Sequence, residues 1–398
     1  MRMRPLLAIF IVCAIDVLGF GVIVPLVPYM ADRFGAAPWT ITWILGSYSL
    51  CQLISAPLWG RLSDRFGRRP ILLISMAGAC VSYFILGFSS GLYGLLLSRM
   101  LNGFMAGNIS AAMAYAADVS PPEQRARALG TVGAAIALGF MIGPALGGVL
   151  VGNNVSAASF LRPAMVSAAL SVVAMLLVLL MLRESQGMEQ RLANRAHAAP
   201  ATVLHTLRAL PGLRWLVLAG MLVTFSQATL ESIVALWGLK RFGIGPLTIG
   251  YLLFGLAAIA VVMQGGMVRI LAPRFGEYRL AIGGIACYVA GLLMVGTASV
   301  FSMAIAGLAL VGIGSGAFSP SAAALASRQA GTTNRGVVMG TYQSGASLAR
   351  VLGPLSSGAI FGRLGPGAPF LAGAVVTLQA VWCMLAARRL GQKSRETA

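Results

Sequence analysis

Apolar stretches of about 20 residues recur along the whole chain and constrain its fold more than any other feature. Hydrophobic residues make up 58% and charged residues 10% of the 398 residues, far from the composition of a soluble domain. A backbone exposed to lipid must satisfy its hydrogen bonds within its own segment, so each stretch is interpreted as a membrane-spanning helix. We predict twelve spans, at residues 6–30, 39–59, 71–89, 92–117, 126–151, 161–182, 213–238, 247–270, 279–298, 300–326, 336–361 and 368–387.

The net charge of +19 is distributed unevenly about these spans. Of the 29 lysines and arginines, 22 fall on the side that carries both termini, five fall on the opposite side, and Arg99 and Arg350 lie within spans. Cytoplasmic loops of membrane proteins carry such an excess. We therefore predict that both termini are cytoplasmic and that the charge orients the chain rather than binding nucleic acid. We also expect the first stretch to be a retained helix, because it is too long for a signal peptide and contains Asp16.

Short motifs repeat between the two halves at an offset of 208–210 residues. The repeated pairs are 33–35 with 241–243, 65–67 with 274–276, 125–130 with 335–340, and 143–144 with 353–354. A long polar stretch separates the halves, so we predict an N-terminal six-helix bundle (1–182), a cytoplasmic linker (183–211) and a C-terminal six-helix bundle (212–398). An even number of spans in each half gives both halves the same orientation. Parallel repeats of this kind place a substrate cavity between them near mid-membrane.

Two carboxylates, Asp16 and Glu231, lie well inside apolar spans. A charge at lipid depth costs about 2.5–3.5 kcal/mol on insertion scales, so it needs a cavity, a partner or a proton. An apolar environment disfavours the charged form, which lets a carboxyl group bind a proton from one side and release it to the other. We interpret both residues as proton carriers. The alternative is a static ion pair, for which Arg99 and Arg350 are the available partners.

Polar and aromatic side chains follow helical spacing in several spans. In lipid such stripes must face protein or water, so they form either a cavity or hydrogen bonds between helices. We favour a cavity, because the stripes accompany the two acids. The predicted substrate-cavity residues are Tyr48, Gln52, Asn102, Phe140, Phe225, Gln227, Gln343 and Arg350.

Residues 60–70, GRLSDRFGRRP, resemble the loop between helices 2 and 3 that is the signature of the major facilitator superfamily. Residues 15–28 resemble the first-helix motif of its twelve-span drug:proton antiporters, which include the tetracycline pumps. The resemblance covers the whole chain. It implies an all-α membrane fold with twelve transmembrane helices in two parallel six-helix repeats around a central cavity.

The same resemblance implies a cytoplasmic charge network that breaks and re-forms as the two halves rock. Its predicted members are Gly60, Asp64, Arg65, Gly67, Arg68, Arg69 and Asp118. Gly60 would allow close helix approach and Gly67 a tight turn. Positive-inside anchoring is the alternative, but it explains only the arginines. The corresponding second-half loop, LAPRFGEYR, has Pro273 in place of Asp64, so we expect a degenerate gate there.

Residues 139–148, GFMIGPALGG, are similar to the glycine–proline motif of the superfamily's exporters. The motif residues are Gly139, Gly143, Pro144, Gly147 and Gly148. Small residues every four positions also allow close helix packing without any directional meaning. Arg99 resembles the helix-4 arginine that the family uses in proton transfer. A guanidinium stays charged, so Arg99 would assist a carboxylate rather than carry a proton; the alternative is that its side chain extends to the interface.

These features predict a secondary active transporter that exports small amphipathic or cationic compounds (drugs) across the bacterial inner membrane in exchange for protons. A proton-coupled exporter of sugars or other metabolites is the alternative. The expected partners are a small-molecule substrate, protons and the lipid bilayer; we expect a monomer, with no cofactor or metal and the proton gradient as energy source. The chain has no GxxxxGK[ST] motif for an ATP-driven pump and no His or Cys pair suited to an enzyme within the spans.

The resemblance to tetracycline pumps is incomplete at two acidic positions. Those pumps carry an aspartate where this chain has Ser82, and an acid in helix 9, whereas residues 279–298 contain none. We therefore do not expect tetracycline as the substrate. The proton-antiport scheme would still operate through Asp16.

Overall fold

The computed structural model describes residues 3–121, 124–154, 159–185, 203–329 and 335–396, and these ranges form helices joined by short turns, without a strand. The first eight helices are α1 (Met3–Ile23), α2 (Val27–Arg33), α3 (Pro38–Phe66), α4 (Arg68–Gly87), α5 (Leu92–Met105), α6 (Ile109–Asp118), α7 (Arg125–Val151) and α8 (Leu161–Met181). The next eight are α9 (Val203–Ala209), α10 (Pro211–Phe242), α11 (Pro246–Val262), α12 (Val268–Phe275), α13 (Glu277–Thr297), α14 (Phe301–Arg328), α15 (Arg335–Leu364) and α16 (Ala368–Glu396).

Ten helical stretches within the described ranges are long and apolar enough to cross a membrane. The two other predicted spans correspond to α5–α6 and to α15. The predicted span 92–117 is helical but not a regular α-helix throughout, because a 3₁₀ turn at Ala106–Asn108 separates α5 from α6. The predicted span 247–270 is also interrupted, by a π-helical turn at Met263–Met267 between α11 and α12.

The helices form two compact units. The first comprises Met1–Ala199 and Gly243–Phe254, and the second Pro200–Phe242 and Gly255–Ala398. Residues 243–254, which the sequence prediction includes in the second bundle, therefore pack with the first unit. Tyr29 Oη donates to Ile244 O at 3.0 Å, and Thr248 N donates to Asn153 Oδ1 at 3.1 Å. Most of the predicted linker, residues 186–202, lies outside the described ranges.

The first long helix of each unit has equivalent neighbours. In the first unit α1 packs against α7 and α8, and in the second α10 packs against α15 and α16. The repeated turns also share a backbone conformation: Gly35 and Gly243 have φ of 72° and 65°, and Gly67 and Gly276 have φ of 106° and 79°. Left-handed backbone of this kind favours glycine, so the repeated RFG motifs end helices in both halves for the same physical reason.

Candidate functional site

Asp16 faces a small cavity in the first unit. The cavity measures about 10 Å³, close to the smallest volume that holds a water molecule. Besides Asp16 it is lined by Cys13, Val17, Leu72, Met76, Asn108, Ile109, Ala112 and Ile136. Because this lining is almost entirely apolar, it provides little solvation for a carboxylate charge.

Asn108 is the polar neighbour of Asp16. Its Nδ2 lies 3.5 Å from Asp16 Oδ2 and donates to Ser75 Oγ at 2.7 Å. Asn108 is buried, and its Oδ1 has no hydrogen-bond partner among the described residues. The 3₁₀ turn that ends at Asn108 positions this side chain. Sequence reasoning missed Asn108 and Ser75, although an amide within an apolar span is itself a signal of a polar site.

Arg99 is 2% exposed and lies between two aromatic rings rather than beside an acid. Its guanidinium carbon is 5.2 Å from the centre of the Phe20 ring and 5.0 Å from that of Tyr48. Arg99 Nε is buried and has no hydrogen-bond partner in the part of the chain that the structure describes. Within the described part of the chain, Arg99 and Asp16 form no ion pair within 4.0 Å. The static Asp16–Arg99 pair is therefore absent from this structure.

The first-unit residues predicted to line a cavity lie in different environments. Asn102 is buried and donates to Ser82 Oγ at 2.8 Å, so it bonds two helices and is not accessible to a substrate. Gln52 Nε2 lies 3.4 Å from Ala106 O. Phe140 is 43% exposed, and its ring lies edge-on to Phe20 at 5.6 Å. Phe140 therefore presents an accessible aromatic surface next to the rings that cover Arg99.

Glu231 lies on α10 in the second unit and is accessible. Gln227 Nε2, one helical turn earlier, donates to Glu231 Oε1 at 2.9 Å. Gln343 and Arg350 are exposed on α15, and Phe225 is half-buried. Between the described side chains of Glu231 and Arg350 there is no ion pair within 4.0 Å. An amide, not a cation, is thus the direct partner of each membrane-depth acid.

The predicted cytoplasmic network is centred on Arg68. Its Nη2 lies 2.7 Å from Asp64 Oδ1, and its Nε lies 3.2 Å from Asp118 Oδ2. Arg68 also donates to Ser63 Oγ. A single buried guanidinium therefore joins the end of α3, the start of α4 and the end of α6. Gly67, with φ of 106°, makes the turn that allows this arrangement.

Three other predicted network residues behave differently. Arg69 Nη2 donates to Leu179 O at 2.7 Å, at the end of α8. Arg65 is exposed and lies over the Phe66 ring at 5.3 Å. A Cβ on Gly60 would come no closer than 3.9 Å to Ser110 Oγ, so the expected close helix approach at Gly60 is not found.

Glu184 belongs to the same cluster but was not anticipated. Its Oε1 accepts from Arg68 N at 2.9 Å, and its Oε2 accepts from Arg69 N at 3.2 Å. Ser185 Oγ donates to Asp118 Oδ2 at 3.1 Å. Glu184 thus caps the N-terminus of α4 from a position 116 residues away in the chain. Such a long-range cap leaves no local sequence signal.

The second-half loop has no counterpart of Asp64, because Pro273 stands there, but an ion pair lies close to it in the chain. Arg328 Nη2 lies 2.7 Å from Glu277 Oε1. This pair joins the start of α13 to the end of α14, as Arg68 and Asp118 join the start of α4 to the end of α6. The sequence comparison considered only the position of Asp64, so it did not anticipate this pair.

The glycine–proline motif packs α7 against α1. A Cβ on Gly139 would lie 2.8 Å from Leu18 N, and one on Gly143 would lie 2.6 Å from the Cα of Gly21. A Cβ on Gly147 would collide with Val22 O. Gly148 and Pro144 instead approach the 243–254 segment, where Gly148 meets Pro246 and Pro144 O meets Gly250. The motif therefore allows close backbone contact on two sides of α7.

A membrane transporter of the major facilitator type has the features found here: a helical fold with repeated halves, an arginine-centred cluster at helix ends and acids within apolar spans. The family model of the Major Facilitator Superfamily matches residues 9–272 and 266–398, so this chain belongs to that superfamily. As a member of it, the chain is a multi-pass membrane transporter and not an enzyme.

Several relatives of this chain are resistance proteins. The tetracycline resistance protein of class C from Escherichia coli is 30% identical over 401 residues, covering 96% of each chain. Multidrug resistance protein 2 from Bacillus subtilis is 27% identical, covering 86% of this chain and 85% of that protein. Among solved structures, a bacterial homologue of the human lysosomal transporter Spinster matches with a TM-score of 0.81 at 17% identity, covering 98% and 97% of the two chains. This last likeness supports the fold alone.

Proposed function

We propose that this protein exports small amphipathic or cationic compounds in exchange for protons by alternating access. The observation that carries the proposal is the environment of its two membrane-depth acids. Asp16 contacts Asn108 and Glu231 contacts Gln227, and neither acid has an arginine or lysine nitrogen within 4.0 Å among the described residues. A carboxylate without a cation partner at this depth is stabilised by binding a proton.

In the proposed mechanism, proton movement is coupled to transport because the stability of each buried carboxyl group depends on whether it holds a proton. A carboxyl group that is protonated on one side of the membrane is neutral while it faces apolar surroundings. It loses the proton when the other side becomes accessible, and its charge then changes the relative stability of the two conformations. Asn108 and Gln227 each donate a hydrogen bond that both protonation states of the acid can accept. Neither amide therefore locks the acid in one state.

The accessible groups favour the proposed substrate class. Phe140 offers an aromatic surface in the first unit, and Glu231 offers a carboxylate in the second. An aromatic face attracts apolar groups and cations, and a carboxylate attracts a positive charge, so each group by itself suits an amphipathic or cationic compound. The names of the tetracycline and multidrug resistance relatives support efflux as the direction. Ser82 has no carboxyl group and is buried in hydrogen bonds with Ala79 O and Asn102, so the acid that tetracycline pumps carry at this position is missing here.

Transport into everted membrane vesicles tests the proposal. With an imposed pH gradient, vesicles that contain the protein should accumulate amphipathic cationic dyes, and a protonophore should abolish the accumulation. Asp16→Asn and Glu231→Gln should each reduce gradient-driven accumulation by at least about tenfold, because a neutral amide cannot exchange a proton. Asp32→Asn, on an acid outside the membrane core, is the matched control. Accumulation that survives the protonophore would disprove proton coupling, and normal transport by both variants would exclude these acids as carriers.

A further inference from the structure

The second unit contains a cavity that shares no residue with the candidate transport site. It measures about 240 Å³ and lies between α13, α14, the end of α12 and the π-helical turn that separates α11 from α12. Its lining is apolar apart from the side chains of Arg279 and Cys287. Pockets that enclose a whole drug-sized ligand measure about 300–1,000 Å³. This cavity therefore fits part of an elongated apolar group better than a complete drug molecule.

The cavity exists because side chains are missing around it. A Cβ on Gly265 or Gly266, in the π-helical turn, would meet no atom within 4 Å, and neither would one on Gly283, which lines the cavity. The next residue of α13 behaves differently, because a Cβ on Gly284 would lie 2.9 Å from Gly314 O. Gly284 thus allows α13 to pack closely on α14, while Gly283 leaves space beside it. Such π-helical turns within α-helices frequently occur at functional sites.

The surface around the cavity is apolar and accessible. Val262, Ile270 and Phe275 are each more than half exposed, and Phe275 lines the cavity itself. Exposed apolar patches of this kind on a membrane protein are surfaces for contact with the bilayer or with a partner. The cavity is therefore open to an acyl chain at its apolar rim.

The other side of the cavity carries positive charge. Arg279 lines it and is exposed, and Arg274 is exposed next to Phe275. Neither arginine has an ion-pair partner within 4.0 Å among the described residues. The acid between them in the chain, Glu277, is paired with Arg328 at 2.7 Å, so its charge is already compensated. An anionic group is therefore favoured here, and a cation is repelled.

We propose that this cavity binds an anionic phospholipid, with part of one acyl chain inside it and the phosphate at the Arg279 guanidinium. A guanidinium donates two parallel hydrogen bonds to phosphate oxygens, which a lysine cannot do. The arginine-rich side of the chain is the one expected in the cytoplasm, and basic pockets between helices on that side bind anionic lipid headgroups. The apolar lining selects a lipid over a free phosphate, and the charge selects against the cationic compounds proposed for transport.

Protection of the Cys287 thiol tests the site in full-length protein. The protein is reconstituted in vesicles of phosphatidylcholine alone or of phosphatidylcholine and phosphatidylglycerol in equal parts. Cys287 is left as the single thiol by replacing with alanine Cys13, Cys51, Cys80 and Cys383. Phosphatidylglycerol should slow labelling by N-ethylmaleimide at least about fivefold, because a bound ligand protects in proportion to its concentration over Kd.

Two arginine variants show whether this protection comes from the cavity. Arg279→Gln should lose most of it, because the phosphate loses its donor. Arg269→Gln, at an exposed arginine of α12 that does not line the cavity, is the matched control and should keep it. Slowing that persists in Arg279→Gln would show an effect of vesicle surface charge and would overturn the proposal. Protection by inorganic phosphate in phosphatidylcholine vesicles, or by a cationic dye but not by phosphatidylglycerol, would overturn it as well.

A variant that fills the cavity gives an independent test. Added phosphatidylglycerol, compared with phosphatidylcholine, should raise the melting temperature of the detergent-purified wild-type protein by about 2 °C or more. Gly283→Leu places a side chain in the free space and should abolish this rise. Gly362→Leu, at an exposed glycine of α15 whose Cβ would also meet no atom within 4 Å, is the control and should show the full rise. An equal rise in both variants would mean that the lipid does not enter the cavity.

Discussion

Arg99 shows how one residue can be buried and charged without an acidic partner. Its guanidinium lies over Phe20 and Tyr48, which stack on each other with centroids 4.4 Å apart. A planar, weakly hydrated guanidinium suits aromatic faces, whereas a compact ammonium keeps a strong demand for water. The position therefore selects for arginine by shape and hydration as well as by charge.

Arg99→Lys should consequently be destabilising although it conserves the charge. We expect a loss of about 1–2 kcal/mol, the range for a desolvated cation–π contact, together with reduced transport. Thermal unfolding of the detergent-purified protein measures the effect. Arg125→Lys, at an exposed position on α7, is the control and should change stability by less than about 0.5 kcal/mol. Equal melting temperatures for the two variants would show that the aromatic contacts contribute nothing.

Glu184 gives a second residue-level prediction. Glu184→Ala removes the acceptor for Arg68 N and Arg69 N at the start of α4, so we expect a loss of about 0.5–2 kcal/mol, typical of a lost helix cap. Glu184→Gln keeps one amide oxygen as an acceptor and should lose less. Thermal unfolding of both variants checks this order. A Gln variant as unstable as the Ala variant would indicate that the charge of Glu184, rather than its hydrogen bonds, is what α4 requires.

The glycines of α7 give a prediction at the level of elements. Gly143→Ala would place a Cβ 2.6 Å from the Cα of Gly21, and α1 and α7 would have to separate. We expect a destabilisation of about 1–3 kcal/mol, as for overpacked cores. Gly133→Ala, on the same helix, meets no atom within 4 Å and should be neutral or stabilising by up to about 1 kcal/mol through helix propensity. Unfolding temperatures that change in the same direction in both variants would contradict close packing as the role of Gly143.

Helices could be predicted from the sequence wherever the length of an apolar stretch determines the structure. Breaks in a helix that tertiary packing causes could not be predicted. The break between α5 and α6 is an example. Trp59 Nε1 donates to Phe104 O at 2.6 Å, the carbonyl that residue 108 would use in a regular α-helix. A Cβ on Gly107 would lie 2.5 Å from Trp59 Cδ1. The turn thus depends on a side chain 45 residues away, and a scan of local hydropathy contains no trace of it.

The search for unusual residues within apolar stretches identified the acids of the candidate site. It did not identify which residues contact those acids. An acid at lipid depth is conspicuous in any sequence, which is why Asp16 and Glu231 could be found. Which nitrogen approaches each acid depends on distances of a few ångströms between helices. The sequence offered Arg99 and Arg350, whereas the structure places Asn108 and Gln227 there. Among the described arginines of the predicted network, Arg68 is the one that forms an ion pair with Asp118.

At the scale of the whole molecule, the duplication relates equivalent backbone turns as well as sequence motifs. Gly35 and Gly243 end helices in left-handed conformations, and so do Gly67 and Gly276. The charges at the ends of α4 and α13 are nevertheless opposite. The two halves thus keep the same backbone turns, which set the direction of the helices. The ion pairs at their helix ends, in contrast, have the positive and negative residues at exchanged positions.

The duplication makes a direct prediction about membrane orientation. Parallel repeats require Gly35 and Gly243 to lie on one side of the membrane, and Gly67 and Gly276, beside the arginine-rich loops, to lie on the other. Because the positive-inside rule places those loops in the cytoplasm, alkaline phosphatase fused after Gly35 or Gly243 should be active in a bacterial host. Fusions after Gly67 or Gly276 should be inactive, and fluorescent-protein fusions at the same four sites should give the reciprocal pattern. Activity at Gly35 but not at Gly243 would mean that the halves are inverted relative to each other, which is incompatible with a parallel repeat.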